Sequence, residues 1–354
     1  MFTNSWSVIF AWYNLVSYVL FFIGLFSSLY LYSSAQKVRP LNRFMTLVVF
    51  TIVVLLMGLF PILKNDFGDR ELYYWGYINI QRGIDTGGLK DWGYYYFQRL
   101  VSFLPVRYYF IYSAFIYTLC IYFFCRSISK KYVGILFLGF ILSFLFINYG
   151  INTMRAGIAS SLVLLALTFR DKKTICFALL IVAITIHFSM VIPVIAYVLA
   201  RYCDKTKTYL IIWLTCIPLS FILGHFFEHF FVDISPDERA SYLAVNAADT
   251  HYKVEFRVTF ILYSCLPVFL GYYYIYKKGF QDKFYKNLYN MYLLTNTFWI
   301  LIIRANFSDR FAYLSWFIYS VILLYPLVTR PVVRRQGIWV ATILLGMTLF
   351  RTFI

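Results

Sequence analysis

The sequence predicts an all-α polytopic membrane protein: a single integral membrane domain over 1–354, with about twelve transmembrane or re-entrant helices and two long extracytoplasmic loops. Three observations carry this expectation. Of 354 residues, 62% are hydrophobic and only 13% charged, too little polar surface to cover a soluble core. Apolar runs of roughly 16 to 25 residues recur along the chain, the length that crosses a bilayer as helix. The basic residues behind the net charge of +17 fall in short loops between these runs, where they set topology. That placement excludes a nucleic-acid partner as the reason for the charge.

The N-terminal stretch MFTNSWSVIFAWY has no Lys or Arg before Lys37. It lacks the basic start of a secretory signal, so the first apolar run is expected to remain as a helix. Spans are expected near 8–31, 44–63, 106–125, 132–148, 152–169, 209–231, 256–276, 287–303, 310–328 and 337–353. The segment 174–200 is long for one span and has basic clusters at both ends: Arg170, Lys172 and Lys173 before it, Arg201, Lys205 and Lys207 after. A hairpin turning at Ile186-His187-Phe188-Ser189 keeps both clusters inside. With it, 19 of the 32 Lys and Arg residues lie in inner loops and 12 of the 15 acids face out. Without it the basic clusters at 277–286 and 330–335 move outside, against the positive-inside rule. Each arm has about 13 residues, roughly 20 Å of helix against a hydrocarbon core of roughly 30 Å. His187 is therefore expected below the outer surface, in a protein-lined cavity. The six cysteines match no zinc or disulfide spacing and read as small apolar residues.

The two outer loops run over 64–105 and 232–256. The first holds Trp75, Trp92 and a run of tyrosines, with Gly87-Gly88 separating two amphipathic helices expected to lie on the membrane. The second is acidic and polar. Short inner turns and elaborate outer loops place the work at the outer face.

The stretch NYGINTMRAGIA, 148–159, puts Arg155 at the start of an apolar helix, with no acid near it in sequence. The helix dipole disfavours a cation there, whereas arginine together with free backbone N–H groups suits phosphate. Arg107, Arg257 and Arg310 also lie near the outer starts of helices, and Arg304 ends the helix before Arg310. Snorkelling to lipid headgroups is the ordinary explanation of such arginines. Arg155 differs because Ala156, Gly157, Ala159, Ser160 and Ser161 surround it, a pattern of close helix packing. His187 at the hairpin tip is placed to take a proton from a sugar hydroxyl, although a lone histidine in an apolar run is more often structural. Tyr73, Tyr74, Trp75 and Trp92 suit stacking on sugar rings, and suit an interfacial aromatic belt equally. His225-Phe226-Phe227-Glu228-His229 fits H-x-x-E-H, an inverted zinc-protease pattern. Its third ligand would have to be Glu255 or Asp249. Its place at a membrane exit, where polar residues are common, argues against zinc.

The helix MRAGIASSLVLLAL, the basic turn RDKK, the run carrying IHFSMVIP and the loop FGDRELYYWGY together resemble the EpsG-like branch of the Wzy-type polysaccharide polymerases, over about 66–200. The resemblance implies a GT-C-like, metal-independent glycosyltransferase without cofactor, in a bacterial inner membrane with its active face periplasmic. Such an enzyme transfers a growing glycan en bloc from undecaprenyl pyrophosphate to a new lipid-linked repeat unit of O-antigen, capsule or exopolysaccharide. Its partners would be those donor and acceptor lipids, the membrane, a chain-length regulator and a flippase. Arg155 corresponds to the family's helix-start arginine, His187 to its hairpin histidine, and Asp69 lies in its acidic first outer loop. Arg155, Arg257, Arg304 and Arg310 are the expected pyrophosphate ligands, the last three on the topology alone. His187 or Asp69 would be the base. An O-antigen ligase and a lipid-linked oligosaccharide flippase or transporter are the alternatives. The span interiors, nearly free of acids, disfavour transport.

Overall fold

The computed structural model describes residues 2–3, 6–33, 37–63, 69–84, 91–234, 258–305 and 308–353. The chain divides into two compact units, Met1–Val191 with Leu324–Ile354, and Ile192–Leu323.

The first unit opens with α1 (Trp6–Tyr32) and α2 (Arg43–Gly58). Asn42 caps α2, its side chain accepting from the Phe44 N–H at 3.1 Å. A two-residue parallel bridge pairs β1 (Phe2–Thr3) with β2 (Ile62–Leu63). Two short helices follow, α3 (Arg70–Gln81) and α4 (Trp92–Leu100), where the sequence predicts two amphipathic helices in the first long loop. Each buries one face at helical spacing, Tyr73 and Tyr77 in α3, Tyr94 and Gln98 in α4. Leu72, Leu100 and Phe103 are exposed.

Next come α5 (Val106–Ile128), α6 (Val133–Leu142), α7 (Phe144–Ile151), α8 (Met154–Thr168) and α9 (Lys173–Ile186). The span expected at 132–148 is two helices bent by 74°. The break falls at Ser143, which is extended and whose hydroxyl donates to Phe140 O at 2.6 Å. No proline or glycine stands at the bend to announce it. α9 ends where the sequence predicts a turn: His187 has extended backbone, and a 3₁₀ turn covers Phe188–Met190.

The second unit contains α10 (Val191–Tyr202, from Ile192), α11 (Thr206–Ile234), α12 (Val258–Tyr272), α13 (Lys283–Leu301), α14 (Asp309–Trp316) and the start of α15 (Tyr319–Thr329). A buried polar network ties it together. The Trp213 indole donates to Asn296 Oδ1 at 2.8 Å, and Asn296 Nδ2 donates to Ser264 at 3.1 Å and Ser315 at 2.9 Å. Satisfied bonds of this kind let polar side chains sit among apolar helices. The chain ends with α16 (Gln336–Phe353), which packs along α1 in the first unit.

Among the described residues, five helices are long and apolar enough to cross a membrane, or six if the bent pair is one span. Four shorter apolar helices accompany them. This is a multi-pass helical membrane protein; the expected dozen membrane helices includes several too short to count as spans by length.

Candidate functional site

Arg155 has an acid after all. Its Nη1 lies 2.9 Å from Asp91 Oδ2, an ion pair that joins residues 64 positions apart. No acid stands near Arg155 in sequence, and the fold brings this one to it. Asp91 precedes α4 in a left-handed conformation, φ 57° and ψ 35°. Aspartate tolerates that region better than most residues. Placed as an N-cap, it would ordinarily bond its own helix. It makes no such bond. Its carboxylate turns instead toward α8 and α9, with Oδ1 accepting from the Phe188 N–H at 2.9 Å. His187 Nδ1 faces Oδ2 at 3.9 Å, ion-pair rather than hydrogen-bond range. Burial pushes this carboxyl up, but the His187 imidazole, the Arg155 charge and the Phe188 N–H outweigh it and hold it well below the usual carboxylate range.

Two glycines make the cluster sterically feasible. A Cβ on Gly93 would sit 2.8 Å from the Thr185 carbonyl carbon and 2.9 Å from Ile186 N. Only glycine therefore lets α4 lie against the end of α9, which carries Asp91 to the His187 break. Gly157 does the same between α8 and α7, where a Cβ would meet the Tyr149 carbonyl carbon at 3.0 Å. The small residues after Arg155 thus mark close helix packing, as their pattern predicts.

The carboxylate is 3% exposed, the Arg155 side chain 29% and the His187 side chain 17%. The acid is the sealed member and the two bases are reachable. Arg155 Nε is buried with no hydrogen-bond partner among the described residues.

Behind the cluster, aromatic hydroxyls and an amide form a buried lattice. The Tyr94 and Tyr109 hydroxyls lie 2.6 Å apart, and Gln98 Nε2 donates to the Tyr109 hydroxyl at 3.1 Å. Tyr77 stacks on Tyr109 with ring centres 4.3 Å apart. Tyr73 packs on Tyr94 and is itself buried. Burial pushes its phenol up, opposed by the Arg155 charge and seconded by Asp69. Asp69 precedes α3 and makes no side-chain cap bond.

Arg70 anchors the base of this arrangement. It is 2% exposed, donates to Met57 O at 3.1 Å and Gly58 O at 3.2 Å, and lies 3.4 Å from Ile151 O. Its guanidinium stands 4.2 Å from the Phe110 ring centre. It therefore binds the carbonyl ends of α2 and α7, the negative poles of two helices. Burial lowers its pKa to about 9, so it stays charged at neutral pH.

Of the other expected residues, Trp75 and Trp92 are exposed and Tyr74 is half-buried. Trp75 Nε1 donates to Glu71 at 3.2 Å. Arg304 and Arg310 belong to the second unit; Arg304 lies over the Phe221 ring at 5.3 Å, and Arg310 is exposed. Arg257, Asp249, Glu255 and Gly87-Gly88 lie outside the described residues, as does the loop after 234. His225, Glu228 and His229 fall in α11, with their side chains outside those described. Asp91 and Arg70 were missed by sequence reasoning. The D-W-G triplet at 91–93 was visible as a helix start, but nothing in its spacing points to residues 155 and 187.

Apolar helices and an acid–guanidinium–imidazole cluster held at helix ends define a membrane protein with a polar site of its own. Over residues 47–354 the chain matches the EpsG family, and it belongs to that family of Wzy-like polysaccharide polymerases and exopolysaccharide biosynthesis proteins. The match includes the C-terminal third, beyond the region that carries the sequence resemblance. No curated protein and no solved structure matches the chain.

Proposed function

We propose that this protein is a polysaccharide polymerase of the GT-C type, working without a metal at the periplasmic face of a bacterial inner membrane. It transfers a growing glycan en bloc from undecaprenyl pyrophosphate onto a new lipid-linked repeat unit. The observation that carries this reading is the Asp91–Arg155–His187 cluster, in which a partly open guanidinium stands beside a reachable imidazole. In the reaction the bond between the anomeric carbon and the pyrophosphate oxygen breaks, and the acceptor hydroxyl oxygen forms the new bond to that carbon. Charge develops on the leaving pyrophosphate. Arg155 meets it with the exposed guanidinium donors that Asp91 does not use. The hydroxyl proton passes to His187, with Asp69 as the other candidate base. Trp75, Trp92 and the half-buried Tyr74 offer aromatic surface to the sugars.

The test is direct. Purified protein in lipid nanodiscs, given lipid-linked repeat units, is expected to produce a ladder of chain lengths. Arg155→Ala and His187→Ala should each abolish the ladder while the protein still inserts in the membrane. Wild-type chain lengths from Arg155→Ala would remove that residue from the mechanism. Single transfer to a lipid A core with no ladder would favour a ligase, and movement of lipid without bond formation a transporter.

A further inference from the structure

We propose that Asp91 is the positioning residue of this site: it holds the proton of His187 on Nδ1 and so makes Nε2 the atom that accepts the substrate proton. The geometry assigns each oxygen of the carboxylate a separate task. Oδ1 accepts from the Phe188 N–H at 2.9 Å and fixes the backbone beside the imidazole. Oδ2 faces both His187 Nδ1, at 3.9 Å, and Arg155 Nη1, at 2.9 Å. An ionised carboxylate only accepts, so Oδ2, though 3.9 Å away and beyond hydrogen-bond range, electrostatically favours the proton on the ring nitrogen that faces it. The second ring nitrogen is then the basic one. When Nε2 takes the acceptor's proton, the imidazolium charge forms beside a carboxylate that is 3% exposed and poorly screened. The close approach at Gly93 fixes that spacing, since α4 carries Asp91 against the last residues of α9.

The assignment rests on the polymerase reading only for the identity of the proton donor; the tautomer can be read without substrate. Protein labelled with ¹⁵N-histidine in detergent micelles gives long-range nitrogen–proton spectra at mildly alkaline pH. The chain has four histidines, and the signal absent in His187→Gln identifies the one of interest. In the wild type, the protonated nitrogen of His187 should be Nδ1. In Asp91→Asn, Oδ1 stays with the Phe188 N–H and the amide NH₂ faces the ring, so the proton should move to Nε2. Chain extension by that variant should fall by about 10⁴ in kcat with KM little changed, the scale seen when a positioning aspartate is neutralised in a hydrolytic triad. Formate should partly restore kcat to Asp91→Ala, in proportion to its concentration.

A wild-type His187 protonated on Nε2 overturns the proposal, whether or not any Asp91 variant folds. So does an Asp91→Asn variant that keeps the Nδ1–H tautomer. Retained activity in His187→Gln together with its loss in Asp91→Asn would make Asp91 the base itself, and also overturns it. If the tautomers behave as stated but lipid-linked repeat units give no ladder, the positioning role stands and the polymerase reading fails.

Discussion

Replacing Gly93 by alanine puts a methyl group where α4 meets the end of α9. The new Cβ would lie 2.8 Å from the Thr185 carbonyl carbon and 2.9 Å from Ile186 N, both backbone atoms that cannot rotate away. Relaxed contacts between such atoms are about 3.5 Å, so the two helices must part by roughly 0.6 Å. The Phe188 N–H bond to Asp91 Oδ1, now 2.9 Å, would stretch to about 3.5 Å, where it no longer counts as a hydrogen bond. Overpacking costs about 1–3 kcal/mol, and a hydrogen bond to a charged group contributes about 1.5–3 kcal/mol. Better helix propensity returns about 1 kcal/mol. The net expectation is a loss of about 3 kcal/mol, read as a lower thermal-unfolding midpoint in detergent. Gly76→Ala is the control, because the nearest atom to its Cβ is Gln98 Oε1 at 3.8 Å. That variant should gain about 0.5–1 kcal/mol. Chain extension should fall sharply in Gly93→Ala and survive in Gly76→Ala. A Gly93→Ala protein with wild-type midpoint and wild-type ladder would refute the account of how Asp91 reaches His187.

Two further outcomes follow from the same contacts. Arg70→Leu strips the donor from Met57 O and Gly58 O, so a loss of about 3 kcal/mol is expected from carbonyls left unpaired; Arg70→Lys should recover only part of it, since one ammonium lacks the fork that spans them. Thermal midpoints of the three proteins in the same detergent decide the point. The Asp91 carboxyl is held below its ordinary value of 3.8, so the unfolded chain takes up its proton first as pH falls. Its contribution to stability is therefore complete above that value and is lost below it as pH approaches the depressed folded value. The stability difference between wild type and Asp91→Asn should shrink as pH falls from about 5 into strong acid. A difference unchanged in strong acid would mean that Asp91 is not ionised in the folded protein.

The helices were legible because hydropathy and basic loops are local signals. The start of α8 at Met154, the end of α9 at Ile186 and the paired loop helices α3 and α4 all fall where the sequence placed them. Ser143 shows the limit: a serine in FILSFLF bends the chain by 74° through its own hydroxyl and backbone, with no breaker residue to announce it. The site was half legible. Arg155 and His187 stood out as polar residues in apolar runs, so each raised a question. Asp91 sat in a polar loop, where an acid raises none. Its importance comes from burial, and burial arises only when Gly93 lets α4 close on α9. Arg70 escaped notice for the same reason, since its partners are backbone carbonyls that no pattern of side chains reveals.

The pairing of Arg155 with Asp91 changes what an empty site costs. An isolated guanidinium at a helix start, partly shielded from water, would be opposed by desolvation and by the helix dipole together. Asp91 offsets both, so the site needs no resident anion to be stable. The pairing leaves capacity over, because a carboxylate oxygen on Nη1 engages one corner of a guanidinium that has five donors. A diphosphate approaching the exposed side would therefore add to the Asp91 contact rather than replace it. In the proposed reaction this matters twice. Arg155 remains anchored while charge grows on the leaving group, so its dipoles need no reorganisation at that moment. Asp91, still fixed by the Phe188 N–H, remains beside His187 as the proton arrives. A mechanism in which the lipid pyrophosphate displaced Asp91 would lose both advantages, and would leave a sealed carboxylate without the guanidinium that, after the His187 imidazole, helps hold its pKa down.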